Sequence, residues 1–432
     1  MRVRLAYGKE GLPLELPDDL DVRVIENRFV PALANPEVEL RRALRVPIDS
    51  RPLRELARRD STVAIVFSDI TRPTPNHLIL PAILEELAHL PDDNILLCNA
   101  LGTHRPNSRV ELQQMLGADI VERYRIVQND SVNEDTQVCI GRSSFGHELW
   151  INRDYLQADV KILTGFIEPH FFAGFSGGGK AVMPGMAGQR TVFGNHDAGM
   201  IADERATWGI THGNPIWEEA REAALLTRPD LLLNVSLNSD KEITGVFAGE
   251  LAAAHDAGIE FVRKSSMVAV ERPCDIVITT NSGWPLDMNL YQAVKGMSAA
   301  EQIVRPGGSI IVAAECAEGV PGHGLYGQLL SEASDAAELA NNVLEAQETR
   351  QDQWQAQIQA RIQARADVYV YADGLSDSQI EYALLLPCRD IPALLDRLLR
   401  RYGPDSRVAI LPEGPQTIPW LKTSVEQEPA VP

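Results

Sequence analysis

The chain has 432 residues, of which 44% are hydrophobic and 23% charged, as in ordinary globular proteins. A single hydrophobic core stops growing well below this length, so we expect two domains or three. The formal net charge of -20 argues against nucleic acid or an anionic membrane as the main partner, because both attract clustered Lys and Arg. An anionic small molecule would therefore need a local positive charge at its binding site.

The N-terminal sequence and the spacing of the cysteines exclude further classes of protein. The N-terminus lacks the apolar core of a signal peptide, and no run of about 18 apolar residues occurs, which predicts a cytoplasmic protein. The five cysteines are scattered and form no C-x-x-C pair. This spacing indicates neither a disulfide framework nor a zinc site.

Short apolar runs in the first part of the chain predict strands, and they lie at residues 62–68, 94–101, 159–166 and 230–237. Residues 76–90, between the first two runs, carry apolar side chains at helical spacing. Strands that alternate with helices indicate a mostly parallel sheet with helices on its faces.

A second series begins after residues 264–274 and has its own strand–helix–strand pattern. The further strands and helices are predicted at 275–283, 289–304, 307–316, 367–374, 390–403 and 406–414. We therefore predict an α/β protein of two domains, 1–268 and 269–420, with a flexible tail at 421–432. The active site is expected in a cleft between the domains.

Polar residues follow the first three predicted strands, where open α/β sheets bind their ligands. These loops read "SDITRP" (68–73), "GTHRP" (102–106) and "GFIEPH" (165–170). They bring Asp69, Arg72, His104 and His170 towards one edge of the sheet. One histidine after a strand is more often structural than catalytic, but several in parallel positions favour a functional site.

The stretch "GFSGGGK" matches the letters of a phosphate-binding P-loop, G-x-x-x-x-G-K. Ala181 stands where such a loop needs Ser or Thr for Mg²⁺, and Pro184 and Gly185 interrupt any following helix. A structural turn with a solvated Lys180 is a second interpretation. The third adds His196, in "GNHD", and predicts a lysine-tethered cofactor with a histidine-bound metal, the glycines allowing the backbone to approach a flat or phosphorylated ligand.

The motifs "SDITRP", "GTHRP", "GFIEPHFFAGFSGGGKAVMPG", "GNHD" and "LYQAVKG" together resemble the nickel-dependent lactate racemase family. The resemblance runs from about residue 60 to about residue 365 in the same order. It implies 2-hydroxyacid racemase or epimerase activity with a nickel-pincer nucleotide, pyridinium-3,5-bisthiocarboxylic acid mononucleotide. It also implies that Lys180 carries this cofactor through a thioamide and that His196 is the protein ligand to nickel.

The resemblance further implies a general acid/base pair, His104 and His170, one on each face of the reacting carbon of lactate or a related small 2-hydroxycarboxylate. One histidine would take the hydroxyl proton while hydride passes reversibly to the cofactor, and a transient 2-keto acid would accept hydride on its other face. Phe171, Phe172 and Trp284 suggest a small or apolar substituent on the substrate.

Other positions match family residues that bind the substrate or the cofactor. Arg72 and Lys295 match the pair that holds the substrate carboxylate, and Arg72 is also a candidate for contact with the cofactor. Tyr291 and Gln292 match cofactor- and substrate-contacting positions, and Trp354 matches an aromatic residue that covers the site. Asp69 is expected to orient Arg72 or His104 and is also a candidate for contact with the cofactor.

Structural alternatives remain for several of these residues. Trp354 could be a core residue of an amphipathic helix, and Tyr291 and Gln292 could lie on a half-exposed helix face. The histidines outside the motifs, among them His147 and His255, are expected at the surface or in the core.

A non-catalytic binder or carrier of the nickel-pincer cofactor is the alternative function. An NAD-dependent dehydrogenase is disfavoured because no G-x-G-x-x-G follows an apolar run. The expected partners are a 2-hydroxy acid substrate and, transiently, the cofactor biosynthesis proteins, with no nucleic acid and no membrane.

Overall fold

The computed structural model describes residues 1–17, 20–322 and 324–422. Within these ranges, no helix combines the length and the apolar character needed to cross a bilayer. The tail predicted at 421–432 lies outside the described residues from position 423 onwards.

The strands occur throughout the chain. They are β1 Arg2–Leu5, β2 Leu12–Glu15, β3 Val22–Val24, β4 Val63–Ser68, β5 Ile95–Ala100, β6 Arg125–Gln128, β7 Gln137–Arg142, β8 Glu148–Asn152, β9 Val160–Phe166, β10 Pro169–His170, β11 Gly174–Phe175, β12 Leu231–Leu237, β13 Ile243–Gly249, β14 Met267–Val270, β15 Cys274–Thr280, β16 Val304–Ala313, β17 Ala366–Tyr371, β18 Leu386–Cys388, β19 Val408–Leu411 and β20 Ile418–Leu421.

Helices connect most of these strands. They are α1 Pro36–Arg45, α2 Leu53–Leu56, α3 Asn76–Glu86, α4 Arg109–Leu116, α5 Ala118–Arg123, α6 Arg153–Gln157, α7 Gln189–Asn195, α8 Ala198–Ala202, α9 Pro215–Leu226, α10 Leu251–Ser266, α11 Leu290–Glu301, α12 Tyr326–Ser331, α13 Ala336–Leu344, α14 Gln353–Arg365, α15 Asp377–Tyr382 and α16 Ile391–Tyr402. A short 3-10 segment, Gly178–Ala181, lies in the glycine–lysine loop.

The chain divides into two compact units. One comprises Phe29–Lys264, and the other comprises Met1–Arg28 together with the chain from Ser265 onwards. The division near residue 265 lies close to the predicted boundary at 268, but the N-terminal segment differs from that prediction. It joins the second unit because β3 pairs in parallel with β19 and so extends the C-terminal sheet.

In the unit Phe29–Lys264 the strands lie in the order β13-β12-β9-β4-β5-β6. All pairs are parallel except β12–β13, which is antiparallel. Along β4, Val63, Ile65 and Phe67 pack into the core on one face, whereas Ala64 and Val66 pack into the core on the other. Both faces are therefore covered, which explains the unbroken apolar run of this strand.

In the other unit the strands lie in the order β18-β17-β16-β15-β19-β3, and every pair is parallel. Ile276, Ile278 and Ile410 pack with Leu394 and Leu398 of the amphipathic helix α16. The prediction of an α/β protein with two mostly parallel sheets is confirmed.

Candidate active site

The site begins at the carboxyl ends of three neighbouring strands in the unit Phe29–Lys264. Strand β4 pairs in parallel with β5 on one side and β9 on the other. Their last residues, Ser68, Ala100 and Phe166, therefore lie at one edge of the sheet, and the loops that follow carry Asp69, His104 and His170. This is the edge at which the sequence predicts ligand binding.

Asp69 and His104 form a hydrogen-bonded pair. The Nδ1 atom of His104 lies 2.8 Å from Oδ2 of Asp69, and Thr71 Oγ1 also donates to this carboxylate, at 2.9 Å. Asp69 is 2% exposed. Burial alone would raise the pKa of its carboxyl, but the hydrogen bond from His104 and the charges of His104 and Arg72 outweigh burial and lower the pKa below its usual value. The sequence analysis expected Asp69 to orient Arg72 or His104, and the side-chain hydrogen bond is to His104.

Arg72 lies in the same turn as Asp69 and has an exposed side chain. Its backbone N–H donates to the Asp69 carbonyl at 3.1 Å, which fixes the turn after β4. Its guanidinium acts on the Asp69 carboxylate through charge. An exposed guanidinium at the edge of the sheet can bind a carboxylate in a bidentate manner.

The glycine–lysine loop folds against the interior of its own unit. Its backbone N–H at Gly178 donates to Asn234 Oδ1 at 2.8 Å, and Nε2 of His255 lies 2.9 Å from the Ser176 carbonyl oxygen, to which it donates. Asn234 lies on β12 and His255 on α10, and both are buried. The loop is therefore held from two elements that follow it in the chain.

The glycines of this loop are explained by these protein contacts. A Cβ atom at Gly178, where φ is +54°, would lie 2.1 Å from Nδ1 of His255. A Cβ at Gly177 would lie 2.6 Å from Asn234 Oδ1, and one at Gly179 would lie 2.6 Å from the backbone of α9. Close packing within the unit therefore requires glycine at these three positions.

The loop does not have the order of elements of a P-loop. Between β9 and Lys180 lies the β10–β11 pair, and the segment that contains Lys180 is a single 3-10 turn. A phosphate-binding P-loop instead connects a strand directly to a long helix. The structure agrees with the sequence argument against a triphosphate site.

Lys180 lies beside His170. The Nζ atom of Lys180 is 3.2 Å from Nε2 of His170 and 5.5 Å from the centre of the Phe172 ring. The backbone N–H of Ala173 donates to Nδ1 of His170 at 3.2 Å, so both ring nitrogens of His170 lie next to a nitrogen atom. The rings of Phe171 and Phe172 are buried and pack on His170 at 5.1 and 4.5 Å. The two phenyl rings therefore support the imidazole by packing against it.

The loop after β5 reaches the same segment. The backbone N–H of Gly102 donates to the Gly185 carbonyl at 3.0 Å, and a Cβ at Gly102 would lie 3.4 Å from Pro184. Gly102 precedes His104 by two positions, and Gly185 follows Lys180. The loops that carry His104 and Lys180 are thus joined directly.

His196 caps the carboxyl end of α7 and is 6% exposed. Its ring contacts the Phe172 ring edge to face at 5.1 Å. Burial, and to a smaller extent the charge of Lys180, lower the pKa of the His196 imidazole to about 3. The ring is therefore neutral at pH 7, which is the form that binds a metal ion.

A partly buried ion pair that the sequence analysis did not single out supports this histidine. Nδ1 of His147 lies 2.8 Å from Glu219 Oε1, and its Nε2 lies 3.4 Å from Asp197 Oδ2. Asn195 donates to the other oxygen of Glu219 at 2.9 Å. Asn195 and Asp197 flank His196, so the same pair anchors the backbone on both sides of it. Glu219 is buried on α9, and a buried carboxylate usually has a partner, but its burial is known from the structure alone.

Four further candidates belong to the other unit, in which α11 and α14 pack together. The side chain of Asn289 caps α11 by accepting from the Gln292 N–H at 3.2 Å. Lys295 Nζ donates to Gln292 Oε1 at 2.7 Å, and Trp354 Nε1 donates to the Tyr291 hydroxyl at 3.3 Å. Trp354 is 7% exposed, so it is both a packed residue of α14 and a support for Tyr291.

Trp284, in this second unit, is 53% exposed, and Lys9 Nζ lies 4.8 Å from the centre of its ring.

Of the other histidines, His255 is the buried residue that holds the glycine–lysine loop, and burial lowers its pKa to about 4. It is a core histidine with a hydrogen-bond partner, as expected.

The residues around Lys180 fit a cofactor of the kind that the sequence resemblance implies. His196 offers a buried, neutral imidazole, and Lys180 offers an amine in hydrogen-bonding distance of a second imidazole. An N-donor of this kind suits nickel. In the described ranges 1–17, 20–322 and 324–422, no group of three or more His, Cys, Asp or Glu side chains is arranged to hold a metal ion. The resemblance implies a single protein ligand.

Comparison with known proteins identifies the family. Residues 7–209 match the family model described as the lactate racemase N-terminal domain, and residues 269–418 match the lactate racemase C-terminal domain. The lactate racemase of Thermoanaerobacterium thermosaccharolyticum is 36% identical over 421 residues, which are 96% of this chain and 98% of the relative. The lactate racemase of Lactiplantibacillus plantarum is 38% identical over 372 residues, 85% of this chain and 87% of the relative.

Comparison with solved structures gives the same family. The lactate racemase apoprotein from T. thermosaccharolyticum superposes with a TM-score of 0.91 at 35% identity, covering 97% of this chain and 100% of that one. A Thermotoga maritima protein of 17% identity shares the fold, with a TM-score of 0.67 over 89% of this chain and 98% of its own. The family matches cover both parts of the sequence, and the chain belongs to the lactate racemase family of isomerases.

Proposed function

We propose that the chain racemises lactate or a closely related small 2-hydroxycarboxylate. The observation that carries the proposal is the pair of imidazoles at one sheet edge, each in a different hydrogen-bonded setting: His104 against the Asp69 carboxylate and His170 against the Lys180 amine. The relatives that bear the name lactate racemase support the choice of substrate.

His104 is suited to proton transfer with a substrate hydroxyl. The Asp69 carboxylate accepts the Nδ1 proton, so the lone pair of the neutral ring is on Nε2. The imidazole side chain is 43% exposed, which leaves Nε2 accessible to a small molecule. After His104 takes the hydroxyl proton, the neighbouring carboxylate stabilises the imidazolium.

His170 would serve the opposite face of the substrate, and Arg72 and Lys295 would bind its carboxylate. The exposed guanidinium of Arg72 follows β4, directly after the Asp69 turn. Lys295 and Gln292 are hydrogen-bonded to each other on α11 and would bind the carboxylate and the 2-hydroxy group together. A planar carboxylate suits an Arg fork, and the ammonium adds a second cation.

Lys180 would hold the nickel-pincer nucleotide covalently, and His196 would bind its metal. Tyr291, Gln292 and Trp354 would contact it, and Asp69 and Arg72 lie next to it in this proposal. When bound, the cofactor supplies a reversible hydride acceptor. The residues of the chain orient the substrate, move the hydroxyl proton, and keep His196 uncharged by burial.

Racemisation by the purified protein tests the proposal. Protein from a host that makes the cofactor is incubated with L-lactate, and the D-form is measured by chiral chromatography together with nickel content and intact mass. We expect D-lactate without net oxidation. His104→Ala and His170→Ala should abolish racemisation and retain nickel, whereas His196→Ala should lose nickel and Lys180→Ala should lose the covalent adduct.

Two outcomes would contradict the proposal in different ways. A fully loaded wild-type protein that leaves every 2-hydroxy acid of a panel unchanged would favour the alternative function, a carrier of the cofactor. Near wild-type turnover by either histidine variant in both directions would refute the two-base assignment while leaving the racemase activity in place.

A further inference from the structure

Amide side chains close the base of the loop that carries His104. Asn99, near the end of β5, and Gln128, the last residue of β6, are partners in the parallel pairing of these two strands. The Nδ2 group of Asn99 donates to Oδ1 of Asn107 at 2.8 Å and to Oε1 of Gln128 at 3.3 Å. Asn107 follows His104 by three positions. The loop therefore begins and ends at the same pair of strands.

Gln128 binds both backbone groups of Asn107. Its Oε1 accepts from the Asn107 N–H at 2.7 Å, and its Nε2 donates to the Asn107 carbonyl at 2.9 Å. Two residues on neighbouring antiparallel strands exchange the same pair of bonds, so the primary amide takes the place of a strand. Asn107 is buried, and a buried backbone needs such partners. Gln128 thereby fixes the chain on the C-terminal side of His104.

The next residue, Asn129, binds the segment that follows Lys180. Its Nδ2 donates to the Ala187 carbonyl at 3.0 Å, and its Oδ1 accepts from Gln137 at 3.2 Å and from Asn152 at 3.3 Å. Asn129 is buried, and a buried amide is tolerated there because its oxygen and its nitrogen are both hydrogen-bonded. The end of β6 is therefore joined to this segment by a side chain.

Three consecutive carbonyls of the segment are each bound by a different element. The Gly185 carbonyl accepts from the Gly102 N–H at 3.0 Å, and the Met186 carbonyl accepts from the Asn152 N–H at 2.9 Å. The third carbonyl is the one bound by Asn129. Because that bond comes from a side chain, a substitution removes it and leaves the two backbone bonds in place.

In the proposed function His104 is an acid/base residue, and its place depends on two contacts. The partly exposed imidazole bonds to Asp69, which orients the ring. The position of the backbone depends instead on the base of the loop, where Asn107 is bound. A catalytic group that is misplaced by about 1 Å can lose about 10²-fold in rate. The chemistry, and not only the stability of the fold, therefore makes a demand on these amides.

We propose that Gln128 and Asn129 are positioning residues of the active site. Gln128 places His104 through Asn107, and Asn129 places Lys180 through the segment that follows it. Two adjacent amides at the end of β6 thus set the spacing between the acid/base residue and the lysine that carries the cofactor. The roles of His104 and Lys180 rest on the proposed function, whereas the anchoring of the two segments does not.

Amide hydrogen exchange tests the anchoring in the full chain made without the cofactor. Gln128→Met removes both bonds to the His104 loop and should increase exchange in residues 101–107 more than in residues 180–187. Asn129→Leu should have the opposite effect, because local opening follows the contacts that are lost. Equal changes in the two segments, or no change in either, would overturn the proposal.

Gln137→Met is the matched control. It removes a third buried amide, whose hydrogen bonds go to Asn129, Thr136 and Asp130 rather than to either segment. Its exchange should show no preference for residues 101–107 or 180–187. A preference as large as that of the test variants would mean that loss of any buried amide loosens these segments, and the proposal would fail.

Acid variants keep the test decisive if either substitution prevents folding, which thermal unfolding shows. Gln128→Glu and Asn129→Asp keep the accepting oxygen and lose the donating amide. Each should loosen the same segment as the apolar variant, to a smaller extent. Exchange that rises equally in both segments in the acid variants would contradict separate anchoring.

Positioning also predicts a split that lower stability does not. In a host that makes the cofactor, Gln128→Met should keep the covalent adduct by intact mass, retain KM, and lower kcat by about tenfold or more. Asn129→Leu should carry less adduct, and Gln137→Met should keep both adduct and kcat. Wild-type kcat in Gln128→Met would refute the role towards His104, and wild-type adduct in Asn129→Leu would refute the role towards Lys180.

Failure of the proposed function gives a different result. A wild-type chain with neither adduct nor racemisation would contradict the roles of His104 and Lys180. The exchange pattern, which needs no cofactor, would then still confirm or overturn the anchoring by Gln128 and Asn129.

Discussion

Asp69 is the residue on which the orientation of His104 depends. A buried carboxylate is costly unless it is paired, and here the imidazole and the Thr71 hydroxyl supply its hydrogen bonds. These bonds and the charge of Arg72 keep its pKa below the usual value despite burial, so Asp69 is ionised at neutral pH. An ionised Asp69 holds the Nδ1 proton and thereby sets the tautomer of His104.

Asp69→Asn should therefore lower kcat strongly without loss of the cofactor. An amide can donate to Nδ1 and favour the wrong tautomer, and we expect a loss of about 10²-fold, the lower end of what a positioned acid or base contributes. The measurement is racemisation rate together with nickel content. Thr71→Val is the matched control, because it removes the other hydrogen bond to Asp69 and leaves the imidazole in place. Equal kcat in Asp69→Asn and the control would contradict this role.

At the scale of single elements, the strand ends could be predicted from the sequence, whereas the supports of the loops could not. The apolar runs at 62–68, 94–101 and 159–166 correspond to β4, β5 and β9 because each strand is buried on both faces. The polar residues of the site directly follow these runs in the sequence, so they can be identified from it. The contacts of Asn234 and His255 with the glycine loop join segments far apart in the chain, so no local pattern reveals them.

The same limit explains the N-terminal segment. Strand β3 has three residues, and its partner β19 lies near the other end of the chain. Its short alternation of apolar and charged residues gives no information about that partner. The boundary predicted from the second strand–helix–strand series therefore placed residues 1–28 in the domain that follows them, whereas strand pairing places them in the other unit.

Helices α7 and α8 meet at His196, and the His147–Glu219 pair fixes this junction. Hydrogen bonds to Asp197 and then to Glu219 raise the pKa of His147 to about 9. The folded state therefore binds a proton that the unfolded state releases above about pH 6.5. The stabilisation is complete below about pH 6.5 and is lost as the pH rises through about 9.

His147→Gln should lower the melting temperature at pH 6 more than at pH 10. Because the pair is partly exposed, we expect a difference of about 1 kcal/mol, or about 2–4 °C for a unit of this size. Thermal unfolding at pH 6, 8 and 10 measures it, with the exposed His77→Gln as control. A difference between wild type and His147→Gln that does not shrink towards pH 10 would mean that the proton on His147 does not stabilise the fold.

At the scale of the whole molecule, the net charge of -20 opposes the binding of an anion. Beyond a Debye length of about 8 Å at physiological salt the field of the protein is screened, and what remains repels a carboxylate. Electrostatic steering therefore cannot bring a 2-hydroxy acid to the site. In the proposed function its binding depends instead on short-range contacts with Arg72 and Lys295.

Replacement of either cation should thus reduce kcat/KM more than cofactor loading. Truncating one partner of a desolvated charge pair costs about 2–5 kcal/mol, which is a loss of about 30-fold or more. Lys295→Ala also leaves Gln292 Oε1 without its donor. Lys9→Ala, in the same unit, makes the same change in net charge at an exposed position and should keep kcat/KM. The measurements are the kinetics and the nickel content of Arg72→Ala, Lys295→Ala and Lys9→Ala. A fully loaded Lys295→Ala enzyme whose kcat/KM falls by less than about tenfold, or about 1.4 kcal/mol, would show that other residues bind the carboxylate.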